Sequence, residues 1–104
     1  MAIALISSTS ASNTADTVTT GSIETTAATL LVVWLAMDNG GTVSLSDSKS
    51  NSWTALTSSV NGSTKSILYY CSNPTVGTGH TFTNAGNQNY STIYVGAFSG
   101  VQTS

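Results

Sequence analysis

The chain has 104 residues, of which 18 are Ser and 18 are Thr, while only 6% are charged and the formal net charge is −2. An ordinary globular domain carries roughly a quarter charged residues, so hydroxyls and amides must cover this surface. Two lysines, Lys49 and Lys65, and no arginine are too few to displace the counterions of a phosphate backbone, so no nucleic-acid partner is expected, and the same count disfavours a polybasic contact with a membrane.

Strand signals follow one another along the chain, separated by turn chemistry. Residues 3–7 read as a first strand, 7–16 as a polar Ser/Thr/Asn stretch, and 17–20 as a second strand ending at Gly21. A short helical or 3₁₀ turn fits best at 24–28. Residues 29–37 form the strongest strand, and Asp38, Asn39, Gly40 and Gly41 after it predict a tight hairpin turn, because Asn and Gly tolerate positive φ. Residues 42–46 alternate with period two. Asp47 to Asn51 turn the chain into a strand over 53–57, and Asn61-Gly62 marks a second hairpin ahead of a strand over 64–72. Asn73-Pro74 ends it, and strands over 80–83 and 90–99 complete the set.

Nowhere do apolar residues recur with a helical period over three turns. Seven or eight short strands with Gly/Asn turns predict an all-β protein, an antiparallel β-sandwich of jelly-roll type, as a single domain over 1–104. The apolar N-terminus lacks a basic start and is too short for a secretory signal. The longest apolar run, about eight residues, is far below the ~20 of a membrane helix, so the chain is expected not to span a membrane. Cys71, the only cysteine, sits in the apolar run Ile67-Leu68-Tyr69-Tyr70-Cys71 and reads as a small buried residue.

One strand breaks the pattern. Over 30–37 one side carries Leu30, Val32, Trp34 and Ala36, and the other Leu31, Val33, Leu35 and Met37. An antiparallel sandwich normally wets one face of each strand. Either a loop or the N-terminal segment covers the second face, or Trp34 and its neighbours form an intermolecular contact. The same question attaches to Tyr69, Tyr70, Tyr90 and Tyr94.

Enzymatic chemistry finds little support. The carboxylates Asp16, Glu24, Asp38 and Asp47 are scattered, and Asp38 and Asp47 sit where turns want a side chain that caps backbone N–H groups. His80 is the only histidine and reads as a strand-start residue bonded locally; no Gly-x-Ser-x-Gly elbow accompanies it. Zinc would need several His or Cys ligands. Calcium is the one cofactor left open, since Asp38, Asn39, Asp47 and Asn51 supply oxygens in loops, but no EF-hand spacing is present; the expectation is no cofactor. Trp34, Trp53 and the tyrosines, with Asn and Ser beside them, could grip a glycan.

Four segments together carry a resemblance: Leu30-Leu31-Val32-Val33; Asp47-Ser48-Lys49-Ser50-Asn51-Ser52-Trp53-Thr54-Ala55-Leu56; the stretch from Tyr69-Tyr70-Cys71-Ser72-Asn73-Pro74 to Gly79-His80-Thr81-Phe82-Thr83; and Val95-Gly96-Ala97-Phe98-Ser99-Gly100-Val101. This resembles a broad group of jelly-roll-like β-sandwich domains of tailed-phage virion proteins and bacterial surface proteins. The resemblance implies an accessory module on a virion or cell surface and supplies no catalytic residues. Ser50 stands where such hairpins usually place Gly, and the chain stops soon after Phe98-Ser99-Gly100-Val101, where many relatives continue. The expectation is a structural module of a virion, phage tail or extracellular filament that forms a homo-oligomer or polymer through the apolar strand face. The alternative is a carbohydrate-binding or adhesin module on the same kind of surface.

Overall fold

The computed structural model describes residues 3–14, 17–38, 42–86 and 91–100. They form nine strands and no helix: β1 (Ala4–Asn13), β2 (Val18–Thr19), β3 (Leu30–Asp38), β4 (Leu45–Asp47), β5 (Thr54–Ala55), β6 (Ser59–Asn61), β7 (Thr64–Ser72), β8 (Phe82–Asn84) and β9 (Ser91–Ser99). All pairings are antiparallel. A large sheet runs β1-β9-β3-β7-β5, with β6 also on β7, and a small one runs β2-β8-β4. The chain passes back and forth between the sheets, and first and last strands lie side by side. Both sheets therefore show the same succession, one strand out of step, which is the jelly-roll wrap of a β-sandwich.

The core follows from alternation. Leu31, Val33, Leu35 and Met37 of β3 are buried, as are Ile93, Val95 and Ala97 of β9 and Cys71 of β7. Val18 and Phe82 of the small sheet close onto them. Ala28 seals one end, held by an i→i+3 turn in which its N–H donates to the Thr25 carbonyl at 2.8 Å. That turn stands where a helical turn fitted the sequence best.

Three expectations about local structure are corrected. First, the polar stretch after residue 7 is strand up to Asn13, because β1 pairs with β9 in unbroken register from Ser7 to Asn13 and the backbone ladder needs no apolar side chains. Second, β3 and the next strand, β4, are not the two arms of a hairpin. β3 already has β7 on one side and β9 on the other, so β4 finds its partner, β8, in the small sheet; Asn39, Gly40 and Gly41 themselves lie outside the described residues. Third, the strand over 53–57 shrinks to Thr54–Ala55. At Asn61-Gly62 a hairpin does form: Asn61 pairs with Thr64, and Gly62 at φ 64° is the first of two loop residues. Positive φ at that position alone is the pattern of a type II′ loop, which suits the strand twist.

Ser50 has φ 57°. It follows a turn in which its N–H meets the Asp47 carbonyl at 3.2 Å, and the left-handed conformation there favours glycine. The strain of an L-residue in that region is roughly 1–2 kcal/mol, partly offset by glycine's larger entropy loss of about 0.5–1 kcal/mol. Ser50→Gly is expected to raise stability by about 0.5 kcal/mol, a gain of roughly 2–4 °C in Tm, whereas Ser50→Ala brings no gain. A lowered melting temperature for the glycine variant would show that the Ser50 side chain contributes more than the strain.

Candidate functional site

The register of the large sheet assembles its outer face in transverse rows. One row reads Ser10, Tyr94, Trp34 and Leu68 across β1, β9, β3 and β7. Leu56 extends it, since its N–H donates to the Leu68 carbonyl at 2.8 Å. The next reads Ser8, Gly96, Val32, Tyr70 and Thr54, and a third Leu5, Phe98, Leu30 and Ser72. On the other side of the aromatic row lie Ser12, Thr92, Ala36, Ser66 and Ser59. The result is an apolar band across the sheet with a hydroxyl-bearing margin; these four rows hold no charged residue, and Asp38 follows beyond them at the end of β3, opposite Thr64.

Trp34 and Tyr94 are half-exposed at 49% and 52%, and Leu68 is 37% exposed. Their rings stack, with centroids 5.9 Å apart and planes inclined by 27°. Gly96 has a steric reason: a Cβ there would sit 2.9 Å from the Phe98 ring, which folds back over it. Beside Trp34 a shallow hollow of about 250 Å³ is lined by Thr57, Ser59, Ser66, Ile67 and Leu68.

The candidate residues thus separate by parity. Leu30, Val32, Trp34, Tyr70 and Tyr94 share the outer face. Tyr69 points the other way and packs against the core, where burial pushes its hydroxyl pKa up. Trp53 also belongs inside, edge-on to Phe82 with centroids 6.1 Å apart. Tyr90 lies outside the described residues. Among the described residues no loop or N-terminal strand lies over Trp34, so the covering expected for this face is not seen there. Leu5, Leu56, Leu68 and Phe98 join the face unannounced; their alternation was legible, but which parity faced out was not.

The second concentration of chemistry is enclosed. His80 Nε2 lies 2.6 Å from Asp47 Oδ2, both side chains are at 0% exposure, and His80 Nδ1 lies 2.8 Å from the Thr25 hydroxyl. The local bonding expected of His80 is corrected: its partners are 33 and 55 residues away. Asp47 does cap its turn, accepting the Asn51 backbone N–H on Oδ1 at 2.9 Å and the Asn51 amide on Oδ2 at 2.7 Å, and it takes the Trp53 indole N–H at 3.2 Å as well. Burial opposes its ionisation, but the bonds from His80, Asn51 and Trp53 together outweigh this and hold its pKa below the ordinary 3.8. An ionised carboxylate only accepts, so the proton between the two rests on His80 Nε2.

Thr25 closes the other end. Its hydroxyl accepts the Gly77 N–H at 3.1 Å and lies 3.2 Å from the Gly77 carbonyl. It can donate to His80 Nδ1 or, if Nδ1 carries a proton, to Gly77, so neither arrangement strands a buried donor. The His80 ring stacks on Phe82 with centroids 4.4 Å apart. Thr25, His80 and Asp47 follow the order of a nucleophile–base–acid relay, but Thr25 and His80 are wholly buried in this structure. Both Asp47 oxygens face N–H donors, the opposite of what a calcium ion requires. The arrangement ties the Thr25 turn, the end of β4 and the segment leading into β8 together.

Comparison with protein-family models, curated proteins and solved structures found no match.

Removing one partner of an enclosed pair leaves the other uncompensated, at a cost of about 3–5 kcal/mol. Asp47→Ala is therefore expected to lower the unfolding free energy by about that much in urea titrations. Because the folded pKa of Asp47 lies below its unfolded value, its contribution is complete above the ordinary 3.8 and is lost as pH falls through the folded pKa. The gap between wild type and Asp47→Ala should narrow as the pH falls below about 4. A gap independent of pH would show that packing, not the charge, is what Asp47 supplies.

Proposed function

We propose that this protein is a structural module that associates with copies of itself through the outer face of its large sheet. The observation that carries the reading is the exposed Trp34–Tyr94 stack at the centre of an almost uncharged apolar band. A self-contact suits this face better than a charged partner does, because two copies related by a two-fold axis set apolar row against apolar row with no charge left unpaired. Size supports it too. Four strands, β1, β9, β3 and β7, about 4.8 Å apart and some 30 Å long give roughly 600 Å² in plan, and side-chain relief brings this close to the ~800 Å² per partner of a standard interface. A buried aromatic pair is the usual anchor of such a contact. The setting we propose, a virion, phage tail or extracellular filament, rests on the sequence resemblance and on a surface of hydroxyls rather than charges.

A second reading draws on the hollow beside Trp34. An aromatic wall with Thr57, Ser59 and Ser66 hydroxyls around it is the chemistry of a shallow carbohydrate subsite, on the same kind of surface module.

The test is the mass in solution by light scattering across a concentration series. Wild type is expected to be oligomeric, and Trp34→Ser to lower the mass while keeping the native β-sheet spectrum. An unchanged mass for the variant would remove the face from the assembly. A wild-type monomer at high micromolar concentration, together with glycan-array binding that Trp34→Ala abolishes, would hand the site to the carbohydrate reading.

A further inference from the structure

The sandwich has unequal edges. The small sheet ends in β2 and β4, of two and three residues, and the far side of the large sheet ends in β5 and β6, also of two and three. Such short edges offer little backbone to an incoming strand, which is one of the ways β-proteins avoid joining edge to edge. The fourth edge is β1, ten residues long, with β9 on one side and, among the described residues, no strand on the other. Every second residue of an antiparallel strand turns its N–H and C=O away from its partner, so β1 presents a row of such groups. Its sequence, Ala-Leu-Ile-Ser-Ser-Thr-Ser-Ala-Ser-Asn, holds no lysine, no other charge and no proline. Its one irregularity, the register shift between Leu5 and Ser7, leaves residues 7–13 in unbroken register with β9.

We infer that β1 is a second self-association site, at which residues 8–12 pair antiparallel with the same residues of another copy to make one sheet continuous across two molecules. The strand fits itself. With the two-fold axis at Ser10, Ser8 opposes Ser12 of the other copy and Thr9 opposes Ala11, so hydroxyls and a methyl meet and no charges oppose. Residues of one parity stay on one face through the joint, since opposed positions differ by an even number. Ser8, Ser10 and Ser12 are exposed and need no rearrangement.

The consequence for assembly rests on the proposed face contact. Two different two-fold contacts on one chain build more than a dimer: a tetramer where the axes meet, an open polymer where they do not. Removing either contact leaves dimers held by the other.

The experiment works in the Trp34→Ser background: Ser10 lies in the aromatic row as well as on the edge, and with the face contact disabled it reports on the edge. Trp34→Ser is expected to have the mass of two chains. Adding Ser10→Lys sets like charges opposite each other and should give one chain, and Ser10→Glu should do the same. Mixing the lysine and glutamate forms should restore two chains, a rescue that a merely misfolded variant cannot show. A monomeric Trp34→Ser protein, or dimers that survive Ser10→Lys, would overturn the edge contact. If Trp34→Ser leaves the wild-type mass unchanged, while Ser10→Lys lowers it and mixing with Ser10→Glu restores it, the face reading fails and the edge contact stands.

Discussion

A β-strand has two sides, and β3 is apolar on both. Sandwich formation can bury only one of them. Leu31, Val33, Leu35 and Met37 face the small sheet, and this choice obliges Leu30, Val32, Trp34 and Ala36 to face out. Because β3 is central, its neighbours are committed with it: the register places Tyr94, Gly96 and Phe98 on one flank of the outward residues and Leu68 and Tyr70 on the other. The apolar band is thus the unavoidable partner of the core, as extended as the core itself.

The small sheet has few residues with which to hold this arrangement together, and the chain has few charges. The fold places two of its rare titratable side chains, Asp47 and His80, against each other out of water. Every lone pair and proton there has a use: Asn51 and Trp53 supply donors to the carboxylate, and Thr25 with Gly77 completes the imidazole side. Elsewhere hydroxyls do what charges do in other domains, as where the Thr19 and Thr83 hydroxyls meet at 3.0 Å between β2 and β8. A surface of this kind has little electrostatic repulsion to keep copies apart, and both proposed contacts draw on that absence.

Legibility in the sequence followed the range of the interaction concerned. The β class, the strands Thr64–Ser72 and Ser91–Ser99, the turns at Asp47 and Gly62, and the burial of Cys71 rest on period-two patterning and local turn chemistry, and these were readable. The polar strand after residue 7 was not, because Ser and Thr alternate without an apolar signal and only β9 alongside makes that segment a strand. Nor was the enclosed trio: 36 hydroxyl residues give no reason to single out Thr25 as the neighbour of His80. Trp53 looked like a platform by residue type alone, yet its indole N–H serves Asp47 and its ring serves Phe82.

The sequence by itself determined that the chain forms an antiparallel sandwich of short strands, sparsely charged, with one strand too apolar to bury on a single side. Those properties are set by composition and by neighbours a few residues apart. The tertiary structure decided which side of that strand is inside, which tyrosines accompany Trp34, and that Asp47 and His80 meet. Each of these depends on register between strands distant in the chain, where a slip of one residue would exchange the two faces, and such registers are fixed only when the whole sandwich closes.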